Sequence, residues 1–208
     1  MGAYQGLGYK KNVIFTPEQI ILYTQHIGAD SYTLPDGSST TKYILTRNLF
    51  PSSNYESDDS LAQSFTDTSE ALVIDQRFYW WEEVIGDMYL TGDFFGKAKF
   101  GIAGDGTNTA YLTKVAFDVE SLDSAGSYTT IASKTITFTT APSTASTSPL
   151  EVDIAGLVKG SWTRFRMYKD LSFRVRGWGY VAAGTGTMYL YFTRGSDATY
   201  LVVNKAEG

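Results

Sequence analysis

Apolar and polar residues alternate along most of this chain with a period of two. The clearest stretch is Leu171 to Phe192. Leu171, Phe173 and Val175 fall on one side, and Ser172, Arg174, Arg176, Trp178 and Tyr180 on the other. That spacing is what a pleated strand imposes on its side chains. Ala182 to Gly186 supply a small-residue reversal, and Met188, Leu190 and Phe192 resume the apolar side. The stretch therefore predicts a hairpin with one core face and one free face. Tyr111–Ser121 and Thr129–Thr140 alternate in the same way around the loop 122–128 and predict a second hairpin. Further strands are predicted at 42–47, 78–81, 87–92, 94–102, 150–154, 164–168 and 199–204.

One segment reads differently. Thr16 to Ile27 has Thr16 as an N-cap, Pro17 at the first helical position, Gln19 completing a capping box, and Gly28 as a stop. It predicts one short helix. About ten short strands broken by turn signals every 8–12 residues predict an all-β fold, an antiparallel β-sandwich of jelly-roll type. Residues 1–60 are expected to form an extended arm, the short helix and a loop, and residues 61–208 the sandwich.

Composition narrows the chemistry. The 208 residues include no Cys, which excludes disulfides and thiolate metal sites, and His26 is the one histidine. A Ser-His-Asp triad would need that histidine, and no Gly-x-Ser-x-Gly elbow or phosphate-binding glycine loop is present. No cofactor is expected. The acidic run Glu56, Asp58 and Asp59 lacks the alternating ligand spacing and glycine turn of a calcium loop. Asp118 and Glu120 lie on one side of one strand. They are the pair a glycosidase could use, although outward solvating charges explain them more simply. The sequence is therefore read as non-enzymatic. Met1–Asn12 lacks the charged and apolar regions of a signal peptide, and no apolar run reaches the roughly 18 residues of a membrane span.

Charge is uneven. Residues 1–104 carry seven basic and thirteen acidic residues, whereas 105–208 carry ten and nine. Within that second half, Lys159, Arg164, Arg166, Lys169, Arg174 and Arg176 fall in 18 residues, with Asp170 the one acid among them. If the strands at 164–168 and 171–180 are neighbours, four guanidiniums share a patch beside Trp178 and Tyr180. An overall net charge of −5 disfavours nucleic acid as its partner. A plain surface, with arginine stems covering aromatic rings, is one reading; a subunit interface is the other, since Arg, Trp and Tyr are enriched there. Interface residues are therefore expected at Arg164, Arg166, Arg174, Arg176, Trp178 and Tyr180. Tyr4 and Tyr9 on the Gly-rich arm of residues 1–12 are expected to reach a neighbouring subunit.

The strand and turn order of 86–102, 116–138 and 169–192 resembles β-sandwich domains of tailed-virus structural proteins, including capsid-decorating, turret and tail components. The resemblance implies a virion component, assembled in the host cytoplasm, that binds copies of itself and other virion proteins and docks on a capsid or tail. A carbohydrate-binding or receptor-binding module is the alternative. It would use Trp80, Trp81, Trp162 and Trp178 against surface glycans.

Overall fold

The strand over Leu171–Val181, β12, lies in the middle of the fold. Its odd-numbered residues Leu171, Phe173 and Val175 are fully buried, and Phe173 stacks on Phe117 with ring centroids 6.2 Å apart. Around it, a computed structural model describes residues 18–26, 32–33, 39–41, 43–47, 60–80, 88–138, 150–153, 163–165, 171–191 and 199–207. All regular structure among these residues is β.

The strands are β1 (Glu18–His26), β2 (Tyr32–Thr33), β3 (Ser39–Thr41), β4 (Tyr43–Thr46), β5 (Ser60–Phe65), β6 (Ala71–Trp80) and β7 (Met88–Ala103). They continue with β8 (Ala110–Leu122), β9 (Tyr128–Thr137), β10 (Leu150–Asp153), β11 (Thr163–Phe165), β12, β13 (Gly186–Tyr191) and β14 (Tyr200–Glu207). Twelve of them form one sheet, in the order β5-β13-β7-β14-β1-β4-β6-β12-β8-β9, with β10 and β11 also pairing β7. β2 and β3 make a separate ribbon. The pair β4–β6 is parallel, so the sheet is mixed. The all-β class is as expected. The jelly-roll arrangement does not follow from this pairing, because one hydrogen-bonded path runs through both halves of the molecule.

The expected helix is a strand. Residues 18–26 pair antiparallel with β14 and β4 as β1. Ile20, Leu22 and Thr24 are buried while Gln19 and Ile21 are exposed. Capping signals at the start did not decide the outcome. Alternation in Gln19–Thr24, with β-branched Ile20 and Ile21, fits a half-buried strand, and tertiary pairing on both edges overrides a weak local preference.

The expected hairpin at 171–192 is also absent. β12 pairs β6 and β8, whereas β13 pairs β5 and β7. The chain arches from one half of the sheet to the other, and the two apolar sides then face each other across the core. Glycines allow the approach: a Cβ at Gly177 would stand 2.7 Å from Met188 Sδ and 3.2 Å from Phe100. The β5–β6 and β7–β8 connections join the same two halves. The three crossovers meet at one end of the molecule, where Val181 N donates to Asp67 O at 2.8 Å and Ala182 N to Thr109 O at 3.3 Å. Asp105 ties the last of them by accepting from Thr107 N, Asn108 N and Thr185 N. These donors hold its carboxyl down to about 2.

The hairpin expected at 111–140 is present as β8–β9, with a bulge between Val119 and Glu120. The two strands expected at 87–92 and 94–102 are one, β7. A single core joins both halves and includes Phe78, Trp80, Phe94, Phe100, Phe117, Phe173, Met188 and Leu201.

Candidate functional site

Strand alternation puts Ser172, Arg174, Arg176, Trp178 and Tyr180 on the outer side of β12. Register then sets their neighbours. Arg174 lies between Arg77 of β6 and Asp118 of β8, and Arg176 between Asp75 and Ala116. Like charges directly opposite would repel, so the side chains pair diagonally. Arg174 grips Asp75 with two bonds of 2.6 and 2.5 Å. Arg77 Nε donates to Glu120 Oε2 at 2.7 Å, and Arg174 Nη1 stands 3.8 Å from Glu120 Oε1. Arg176 donates to Asp118, which also accepts from Ser133 Oγ at 2.6 Å. At the far end Lys114 meets Glu70 at 2.9 Å. Four cations thus meet four carboxylates of their own chain.

The ion pairs perturb their members in the expected direction. The Arg174 guanidinium holds the Asp75 carboxyl below its usual range, and Asp75 in turn raises Arg174. Lys114 lowers Glu70 in the same way. Burial, followed by the 2.5 Å bond between its hydroxyl and that of Tyr128, pushes the Tyr79 phenol up.

This arrangement corrects two readings of the sequence. Asp118 and Glu120 are not outward solvating charges. Each is only 3% exposed, and each is held by an arginine. The acids that meet the arginines come from the same sheet. The second correction concerns the patch. β11, which carries Arg164, pairs β7 with Arg164 opposite Tyr89, so Arg164 is not on a strand beside β12. Arg166, Tyr4, Tyr9, Trp81, Trp162 and the acidic run 56–59 lie outside the described residues. Of the eight expected interface residues, the structure brings together Arg174, Arg176, Trp178 and Tyr180. Asp75 and Arg77 were missed, although their period-two spacing on β6 matches the charges of β12 and β8.

The charge lattice stops at Trp178. Register shifts occur on both of its sides, between Gly177 and Trp178 against β6 and between Trp178 and Gly179 against β8. A bulge inserts one residue and re-aims its neighbours. Here it places Leu72, not Val73, opposite Trp178. Val73 packs against the core, and Leu72 is turned out and 46% exposed. Lys114 Nζ lies over the Trp178 ring at 4.5 Å and Arg176 Cζ at 5.4 Å. Tyr180 stacks on Tyr111 at 4.6 Å. The outer surface thus ends in an aromatic and apolar ridge. Trp80, one of the expected sugar platforms, is fully buried instead. Among the described residues, no group of three or more His, Cys, Asp or Glu could hold a metal ion. No described helix is long and apolar enough to cross a membrane.

No protein-family model matches the chain, and no curated protein matches it. The resemblance to tailed-virus proteins therefore finds no family or sequence match. Among solved structures, the chain is similar to a CocE/NonD family hydrolase from Staphylococcus aureus, at 10% identity and TM-score 0.45. The match covers 91% of this chain and 37% of the hydrolase chain. The infectious bursal disease virus Gx strain structure matches at 8% identity and TM-score 0.21, covering 94% of this chain and 60% of that one. The VP2 subviral particle of the same virus matches at 13% identity and TM-score 0.20, covering 85% and 48%. The chain thus spans less than two thirds of the length of each. Against the expectation of a non-enzymatic chain, the structure matched here is that of an enzyme. At that identity and TM-score it transfers no activity or residue to this one.

Proposed function

We propose that this chain is a virion structural protein that joins copies of itself through the ridge of Leu72, Tyr111, Trp178 and Tyr180, and docks with them on a capsid or tail. The observation that carries the reading is the double register shift at Trp178. It turns a leucine into solvent beside a tryptophan, on a surface whose charges are already balanced within the chain. Among the described residues of this surface, Arg77, Lys114, Arg174 and Arg176 each meet a carboxylate, which suits another protein better than a phosphate backbone. Exposed apolar side chains rimmed by paired charges are the composition of an interface core and its rim. The resemblance of 86–102, 116–138 and 169–192 to tailed-virus β-sandwich domains is what suggests the virion setting. The sugar-binding alternative is weakened at its remaining described ring, because two cations already lie over Trp178.

Light scattering of the full chain over a hundredfold concentration range tests this. The expected result is a defined oligomer that Leu72→Asp weakens at least tenfold without unfolding the chain. A monomer at all concentrations, with no binding to assembled particles, would overturn it. So would an oligomer that Leu72→Asp and Trp178→Ser both leave intact.

A further inference from the structure

Two cations lie over the Trp178 ring, and each is held from its far end by a carboxylate. Lys114 stands opposite Trp178 on β8. Its Nζ lies 4.5 Å from the ring centroid and donates to Glu70 Oε1 at 2.9 Å. Arg176 precedes the tryptophan on the same side of β12, with Cζ 5.4 Å from the centroid and an ion pair to Asp118. The two anchors differ. The Asp118 side chain is 5% exposed and also accepts from Ser133 Oγ, which fixes Arg176 from beneath. The Glu70 side chain is 43% exposed and belongs to the crossover between β5 and β6. That crossover is tied to β12 just past the ridge, where Val181 N donates to Asp67 O.

The ladder leaves the orientation of the ring to these side chains. Register shifts interrupt it on both sides of Trp178. Thr113 Oγ1 donates to Trp178 O at 3.2 Å, which pins the backbone but not the indole. Leu72, across on β6, is turned out to solvent. Tyr180, next along the same side, is engaged with Tyr111. The cations remain. A cation over an indole face is attracted by the quadrupole of the ring, so it favours the orientation that keeps that face beneath it.

We infer that Glu70 is a positioning residue for the ridge: it holds Lys114 over Trp178, and Lys114 and Arg176 together keep the indole in the orientation that the contact between copies uses. The inference rests on the proposed function and adds what presets its central side chain. A ring already ordered loses less freedom on association than a mobile one. The Lys114–Glu70 pair is partly exposed, so salt screens it, whereas the buried Asp118 keeps Arg176 in place. The device is therefore adjustable at Glu70 and fixed at Asp118.

Fluorine NMR of the full chain labelled with fluorotryptophan tests it. Trp178→Phe identifies the Trp178 line, and Trp80, fully buried, is the internal reference. Lys114→Met is expected to shift and broaden the Trp178 line, leave the Trp80 line in place and weaken association several-fold. Lys114→Arg should keep both readouts near those of the parent chain, and Glu70→Gln should act as Lys114→Met does, but more weakly. Exchanging the pair, Glu70→Lys with Lys114→Glu, keeps an ion pair but removes the cation from β8. The Trp178 line should then stay displaced while the thermal melt returns towards that of the parent. A line restored by the exchanged pair would make the ion pair a strut for the crossover alone and overturn the inference. So would a Trp178 line unmoved by both Lys114→Met and Glu70→Gln, or one that moves while association holds. If any of these is seen while Leu72→Asp still dissociates the oligomer, this inference falls and the proposed function stands. If the line moves but neither Leu72→Asp nor Trp178→Ser changes association, the proposed function falls and the positioning of the ring stands.

Discussion

The outer sides of the two halves of this sheet meet water differently. On β6, β12 and β8, long charged side chains lie over the strands and bond to one another. Their aliphatic stems cover the sheet and their charges cancel. On β13, β7, β14 and β1, the outer positions carry tyrosines, Lys97 and Lys99 together with Ile21 and Phe95, and Val202 is buried between them. The first surface pairs its charges, with Arg176 Nε left without an acceptor and the ridge around Trp178 uncovered. The second leaves apolar area uncovered across three strands. Solvent exposure alone would rank them as similar. What separates them is that ion-paired side chains cover the first, whereas Ile21 and Phe95 on the second stay exposed among tyrosines.

The largest expected effect falls on what both surfaces share. Phe173→Ala removes a fully buried ring stacked on Phe117, and should cost about 3–5 kcal/mol. Chemical denaturation should show one transition moving to lower denaturant. A shift confined to probes on β6, β12 and β8 would show instead that the two halves fold separately. A smaller loss should follow Glu120→Ala, which strips Arg77 of its acceptor and leaves Ser172 beside a void. About 2 kcal/mol is expected for a charged hydrogen bond of this kind. Adding Arg77→Ala should recover part of it, and a double-mutant cycle with no coupling would show that the lattice is ornamental.

The smallest effect is that of pH, and its sign differs at the two ends of the scale. Asp75 and Glu70 are held low in the fold by Arg174 and Lys114. Their contribution is present above the ordinary carboxylate range and is lost as pH falls through their folded values. Tyr79 is raised, so its contribution is present below about pH 10 and is lost as pH climbs through the higher folded value. Hydrogen exchange should therefore loosen β6, β12 and β8 first at both extremes. Equal loosening of β1 and β14 would contradict the division between the surfaces.

The alternation at 171–181, 110–122 and 128–137 made the strands and their core sides legible in the sequence. Apart from the β8–β9 hairpin, what it could not show was which strands become neighbours. A hairpin and an arch present the same alternation, and the choice between them lies in Gly177 and Gly179, whose missing side chains let Met188 and Phe100 close in. The helix expected at the N-terminus shows the same limit from the other side. Thr16, Pro17 and Gln19 are local signals, whereas β4, about twenty residues on, and β14, near the far end of the chain, decide the matter. The site was half legible for a related reason. Arg174, Arg176, Trp178 and Tyr180 stand together on one strand, while Asp75, Arg77, Asp118 and Glu120 come to them through pairing. The turned-out Leu72 follows from a register slip that no spacing reveals.

The arches also set the order in which this chain can acquire its structure. β12 finds β6 about a hundred residues back and β8 about sixty back, and it passes over β13, the strand next to it. Closing such long loops is slow, and strands wait unpaired meanwhile. The β8–β9 hairpin is the one long pairing between consecutive strands among those described, which makes it the natural nucleus. Until β12 arrives, the edge of β8 stays open on the side that β12 will occupy. An emerging chain that has completed residues 110–137 but not yet 171–181 is therefore at its most vulnerable to pairing with the wrong strand of a neighbour.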